Sequence, residues 1–267
     1  MLTQVTLYNH LKKKVKFFIN KLSLNNYVNQ IGRKLALSLA DILSLALYRH
    51  QGQILTKKKL WQTFEPDCAY KTLVVNINRF WQLALMILVL ILKHSRQDCH
   101  LIKHIDSTDI PVCANRKAAV HQVMKTFASW GKTGKGYFYG LKLHLIADLE
   151  GRLLAVKFTT GETDDRATVI DLSKGLAGIF IGDAGYVSQD LAKRFYQEGR
   201  RYLLAKPRSN MRKLATRLDV FLHNTRMRIE INFKCLKQFY GLVTSLPRSI
   251  DGYLGNYAYA ILAYCLG

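Results

Sequence analysis

Near residue 100 the apolar residues of this 267-residue chain change period, and that change restricts its fold more than any single motif. Before it, apolar positions recur at helical spacing, as in KLALSLADILSLALY (34–48). Thr56 ahead of KKKLWQ predicts a helix N-cap, and one further helix is predicted from Tyr70 to Lys93. After the change, HLIKHIDST alternates as a strand does. YFYGLKLHLIAD (137–148), the turn-like LEGR and LLAVKFTT (153–160) predict a β-hairpin. A helix is predicted from Asp165, a short strand ending at Asp183, a helix capped by Ser188, and a strand through RRYLLAKPR. Helices over 212–222, 224–240 and 251–265 complete the pattern. Three successive strands followed by alternating strand and helix imply a mixed sheet with helices on both faces. The expected organisation is α/β, with an all-α region over 1–98 and the sheet domain over 99–267.

Charge narrows the partners. Forty Lys and Arg against eighteen Asp and Glu give a net +22. A surface this basic points to a polyanion, with nucleic acid the first candidate. The balance is 15 basic to 4 acidic over residues 1–100, 14 to 11 over 101–200, and 11 to 3 over 201–267. The acids therefore gather in the middle of the chain, between basic flanks. Five scattered cysteines form no C-x-x-C pair, which argues against a zinc site or disulfide framework. The N-terminus has no apolar segment of the secretory kind. The most apolar run, FWQLALMILVLIL (80–92), is shorter than the ~20 residues that span a bilayer, so a buried helix is expected there and no membrane partner.

The acids suggest a chemistry. In HNTRMRIEINFKCLKQF (223–239), Arg226, Glu230 and Lys237 are spaced by four and seven. On a helix they fall within roughly 40° of one another, a lone acid between two cations. That suits a carboxylate that holds a metal beside phosphate-gripping cations. Asp106 in IDST and Asp183 in IGDAGY end strand-like runs. With Glu230 they would make a three-carboxylate site for Mg²⁺ or Mn²⁺, which prefer oxygen ligands. Two such ions about 3.5–4 Å apart clamp the attacking and leaving oxygens of a phosphodiester. Asp109 competes with Asp106 for the first position. Asp164 and Asp165 are expected to cap a helix, and His144 to be structural or to stand beside the metals.

These segments resemble the DDE-type transposases of bacterial insertion sequences, most closely the insertion sequence 982 family. That group carries a Y-x2-R-x3-E-x6-K signature, which reads His223, Arg226, Glu230 and Lys237 here, with histidine in place of tyrosine. IDSTDIPVC, GETDDR and GDAGY resemble its other motifs. The resemblance implies a ribonuclease H-like fold and two divalent ions held by Asp106, Asp183 and Glu230. It implies metal-dependent cleavage and strand transfer on double-stranded DNA, both element terminal repeats and target. His223, Arg226 and Lys237 would meet DNA phosphates, in at least a homodimer, in the cytoplasm of a bacterium and on the nucleoid. The rivals are a nuclease of the same fold that does not join DNA, and a DNA-binding relic without activity.

The Gly-rich SWGKTGKGYF (129–138) lacks the spacing of a nucleotide-binding loop. It is expected to be a mobile loop that meets DNA through Trp130, Lys132 and Lys135. The clusters Lys12–Lys14, Lys57–Lys59 and Lys206–Lys213 are either solvated faces or phosphate contacts.

Overall fold

A computed structural model describes residues 4–28, 34–134, 136–205 and 216–267. The chain divides into two compact units, Met1–Ile91 with Cys235–Gly267, and Leu92–Lys234. This differs from a single cut near residue 98, because the C-terminal segment packs with the N-terminal helices.

The first unit is helical. It is built from α1 (Gln4–Lys21), α2 (Leu39–Gln51), α3 (Lys57–Phe64), α4 (Tyr70–Arg79), most of α5 (Trp81–Ser95) and α10 (Ile250–Leu266). Ser38 and Thr56 cap α2 and α3, each accepting a hydrogen bond from a backbone N–H of the first turn. Helix α10 is buried around most of its circumference, including Tyr253, Tyr257, Tyr259, Ile261 and Leu262. A helix apolar all round must be covered on every side. Helices α2 and α4 cover it, and the Tyr259 hydroxyl donates to the carbonyl of Ile77 at 3.0 Å. The single helix predicted over 70–93 is two, bent by 44° at Phe80. Among the described residues no single helix is long and apolar enough to cross a membrane.

The second unit carries the sheet. Its strands are β1 (Ile102–Pro111), β2 (Ser129–Thr133), β3 (Gly136–Asp148), β4 (Leu153–Thr160), β5 (Gly178–Gly182) and β6 (Arg201–Ala205). Strand β3 runs antiparallel to β1 on one side, and to β2 and β4 on the other. Strands β5 and β6 continue from β1 in parallel. Apart from the short β2, the order is β4-β3-β1-β5-β6 with only β3 reversed. That is the topology of the ribonuclease H-like fold. Helices α6 (Asp165–Leu172) and α7 (Gln189–Gly199) follow β4 and β5, and α8 (Arg217–Asn224) and α9 (Met227–Gln238) close the series. One core joins Ile105, Ile146, Leu154, Val169, Phe180, Tyr186 and Phe195, from the strands and the α6–α7 region. Burying each such side chain contributes about 1.5–3 kcal/mol. The predicted strands 137–148 and 153–160, the helix at Asp165 and the Ser188 cap all form. SWGKTGKGYF corrects an expectation: it is mostly β-hairpin, β2 and the start of β3, not a loop.

Candidate active site

Strand alternation sends Ile105 into the α6–α7 core and Asp106 to the opposite face of the sheet. In the β1–β5 ladder the last pair is His104 with Ile181. Asp106 and Asp183 each lie two residues beyond that pair, Asp106 still within β1 and Asp183 just past the end of β5. Paired strands are about 4.8 Å apart, so the two carboxylates repel one another. Asp183 caps the short turn after β5, its Oδ1 accepting from the Gly185 N–H at 2.9 Å. Gly182 permits that turn, since a Cβ there would lie 2.8 Å from the Tyr186 ring. The carboxyl end of parallel strands is where ligands collect in open α/β sheets.

Glu230 reaches the same region through Arg226. One guanidinium nitrogen of Arg226 donates to Asp106 Oδ2 at 2.6 Å, and another to Glu230 Oε1 at 2.5 Å. The pair with Glu230 is the i,i+4 contact that the spacing predicts. The break expected at His223, between helices 212–222 and 224–240, falls instead at Thr225 and Arg226. Helix α8 ends at Asn224, Thr225 and Arg226 form a turn, and α9 begins at Met227. Thr225 is the cause: its hydroxyl donates to the Leu222 carbonyl at 2.6 Å and bonds the His104 ring at 2.9 Å. A hydroxyl that binds the preceding turn and a neighbouring strand competes with helix continuation. His223 therefore belongs to the last turn of α8, while Lys237 stands in the last turn of α9.

The electrostatics follow from this packing. Burial pushes the Asp106 carboxyl up to about 7; the Arg226 guanidinium and the Ser107 N–H pull the other way, and Asp183 adds to the rise. Burial holds His104 near 4, so its imidazole is neutral at pH 7. Among the described residues no three His, Cys, Asp or Glu side chains are grouped closely enough to hold a metal ion. Arg226 stands between Asp106 and Glu230 and supplies positive charge there. The donors still fit a hard divalent cation, being all carboxylate oxygens around a mutually repelling aspartate pair.

The other candidates divide. Asp109, an odd number of residues from Asp106, falls on the opposite face of β1. His144 pairs in register with Ser107, and so also faces away from Asp106. Its ring bonds Thr159 at 2.8 Å and Thr168 at 3.3 Å in a buried polar cluster with Asp165 and Lys142. Asp164 caps α6. Trp130 and Lys132 lie exposed on β2, the indole edge-on to Tyr139 and the ammonium 5.4 Å from the Tyr137 ring centre. Lys135 and the Lys206–Lys213 cluster lie outside the described residues. Sequence reasoning missed His104, Thr225 and Tyr186. Period-two alternation from Asp106 would have found His104, and the GDAGY motif holds Tyr186, which is buried beside both aspartates.

A family model for the transposase DDE domain matches residues 96–250, more than half of the chain. The chain belongs to that family. No curated protein matches it. Two solved structures are similar over 95% of this chain and 86% of their own. One is the Mos1 mariner paired end complex with Mn, at 11% identity and a TM-score of 0.26. The other is the Mos1 transposase paired-end complex with left transposon end, at 10% identity and a TM-score of 0.25.

Proposed function

We propose that the chain is the transposase of an insertion sequence akin to the 982 family, cutting and joining double-stranded DNA at the element's terminal repeats. The observation that carries this reading is Arg226, which bonds Asp106 across 120 residues of sequence and Glu230 four residues on, beside Asp183 at the end of the adjacent strand. In this reading Asp106, Asp183 and Glu230 hold Mg²⁺ or Mn²⁺, two ions in all. When bound, such ions stabilise charge on the attacking and leaving oxygens of a phosphodiester. Arg226, Lys237 and His223 contact the phosphates of the element end. Trp130 and Lys132 on the β2–β3 hairpin, with Lys135, meet DNA beyond it. In cleavage a water oxygen bonds to phosphorus and the strand's 3′ oxygen leaves, taking up a proton. In joining that 3′-hydroxyl attacks a target phosphodiester, so one bond forms as one breaks. No energy-supplying cofactor is required. Two ends are joined to one target, so a homodimer is the working form on DNA. The protein acts in the bacterial cytoplasm, on the nucleoid.

The test offers pre-cut element ends bearing a free 3′-hydroxyl, with supercoiled target DNA and Mg²⁺ or Mn²⁺. Covalently joined products are expected from the wild type and not from Asp183→Asn. Nicked target without joined product would make the chain a hydrolytic nuclease of the same fold.

A further inference from the structure

The helical unit contains cations placed where stability alone would not put them. Arg49 on α2 and Lys57 at the start of α3 line a cavity of about 320 Å³, together with Arg248, Thr56, Ser249 and Tyr70. No Asp or Glu lines it. Among the described residues, neither Arg49 nor Lys57 has a carboxylate within ion-pair distance; their partners are neutral. The Arg49 guanidinium donates to the amide oxygen of Asn256 and lies 2.9 Å from His50 Nε2, and the Lys57 ammonium donates to the amide oxygen of Asn78. Burial holds Lys57 down near 8, with Arg49 adding repulsion, and holds Arg49 near 10. A half-buried cation without a counter-ion costs free energy. Two helix N-termini also open on the cavity, at the Thr56 cap of α3 and the Ser249 cap of α10, and their dipoles favour an anion. A second cavity of about 460 Å³ shares Arg49, Leu55, Leu246 and Asn256 with the first.

We infer that this cavity is a phosphate-binding site, in which Arg49, Lys57 and Arg248 receive one phosphate group of nucleic acid. A hydrogen-bonding anion supplies the missing charge and accepts from all three side chains at once. Tyr70, 41% exposed at the rim, offers an aromatic face to the attached nucleoside. The chemistry separates Lys57 from Lys58 and Lys59, which are exposed on α3. It is independent of the carboxylates of the sheet unit. Only the origin of the phosphate in DNA rests on the function proposed above.

The experiment uses the full chain without divalent metal, so failure of the carboxylate mechanism leaves it unaffected. Thermal unfolding is compared in inorganic phosphate and in chloride at equal ionic strength. Phosphate is expected to raise Tm in the wild type, and not in Lys57→Gln or Arg248→Gln. The second variant alters an exposed side chain and avoids any question of folding. Inorganic phosphate should also compete with a labelled DNA duplex. Arg248→Gln should weaken duplex binding about tenfold, the loss of one charge-assisted hydrogen bond. It should reduce the salt slope by about 0.9, the value for one phosphate contact. Equal Tm in both salts, or a phosphate effect untouched by both variants, would overturn the site. A phosphate effect lost in the variants with DNA binding and salt slope unchanged would overturn DNA as its source.

Discussion

Arg226 shows how much one residue's position decides. It is 24% exposed, against 16% for Asp106 and 55% for Glu230, so its bond to Asp106 is the better shielded of the two. Arg226→Ala should destabilise the metal-free protein by about 1–3 kcal/mol, because Asp106 loses its counter-ion while keeping Asp183 beside it. Arg226→Lys should recover only part of that, since a single ammonium lacks the fork that bonds two carboxylates at once. Denaturant unfolding of the three proteins measures both effects. Lys57 gives a prediction of opposite sign. Its pKa is about 8 in the folded chain against an ordinary 10.5, so between those values the unfolded chain binds the extra proton. The penalty is therefore complete below about pH 8 and relieved as pH rises toward 10.5. Wild-type stability should climb over that window in phosphate-free buffer relative to Lys57→Met, with Lys57→Met the more stable at pH 7. At this scale the Arg226–Glu230 pair was legible, because an i,i+4 spacing is a local pattern, whereas Asp106, expected to end a strand, stands within β1, which runs on to Pro111. The cavity of Arg49, Lys57 and Arg248 was not legible, because these positions meet only in the folded unit.

Among the elements, the departures from expectation share a cause: tertiary partners that local pattern does not contain. The break between α8 and α9, expected at His223, falls at Thr225, whose hydroxyl bonds Leu222 and the His104 ring. Thr225→Val keeps the shape and removes both bonds. It should cost about 1–3 kcal/mol in thermal or denaturant unfolding, with a buried imidazole left short of a partner. An unchanged midpoint would mean that the break has another cause. Strand β2 was hidden by its glycine, Gly131, whose role is close approach. A Cβ on Gly131 would lie 2.3 Å from the carbonyl oxygen of Gly161, so the alternation that marks a strand is interrupted where backbones meet. Strands β3 and β4, which alternate or run apolar without such demands, were legible to within a residue.

The whole molecule is a basic protein whose acids sit mostly in the sheet unit. That distribution was open to reading from composition, and so was the α/β class. The division into units was not: nothing in the order of the chain says that α10 completes the N-terminal helices, although its all-round apolarity says that something must cover it. With a net charge of +22, DNA affinity should fall steeply with salt, log K against log salt having a slope of about −0.9 per phosphate neutralised. The three carboxylates are tested by following cleavage of the ends of the element that carries this gene, in Mg²⁺ or Mn²⁺, by the wild type and Glu230→Gln side by side. Both proteins are expected to bind the ends, the wild type to cut and join them, and the variant to do neither. Equal cutting by the variant, or none by either protein while both bind DNA, would contradict the role given to the carboxylates.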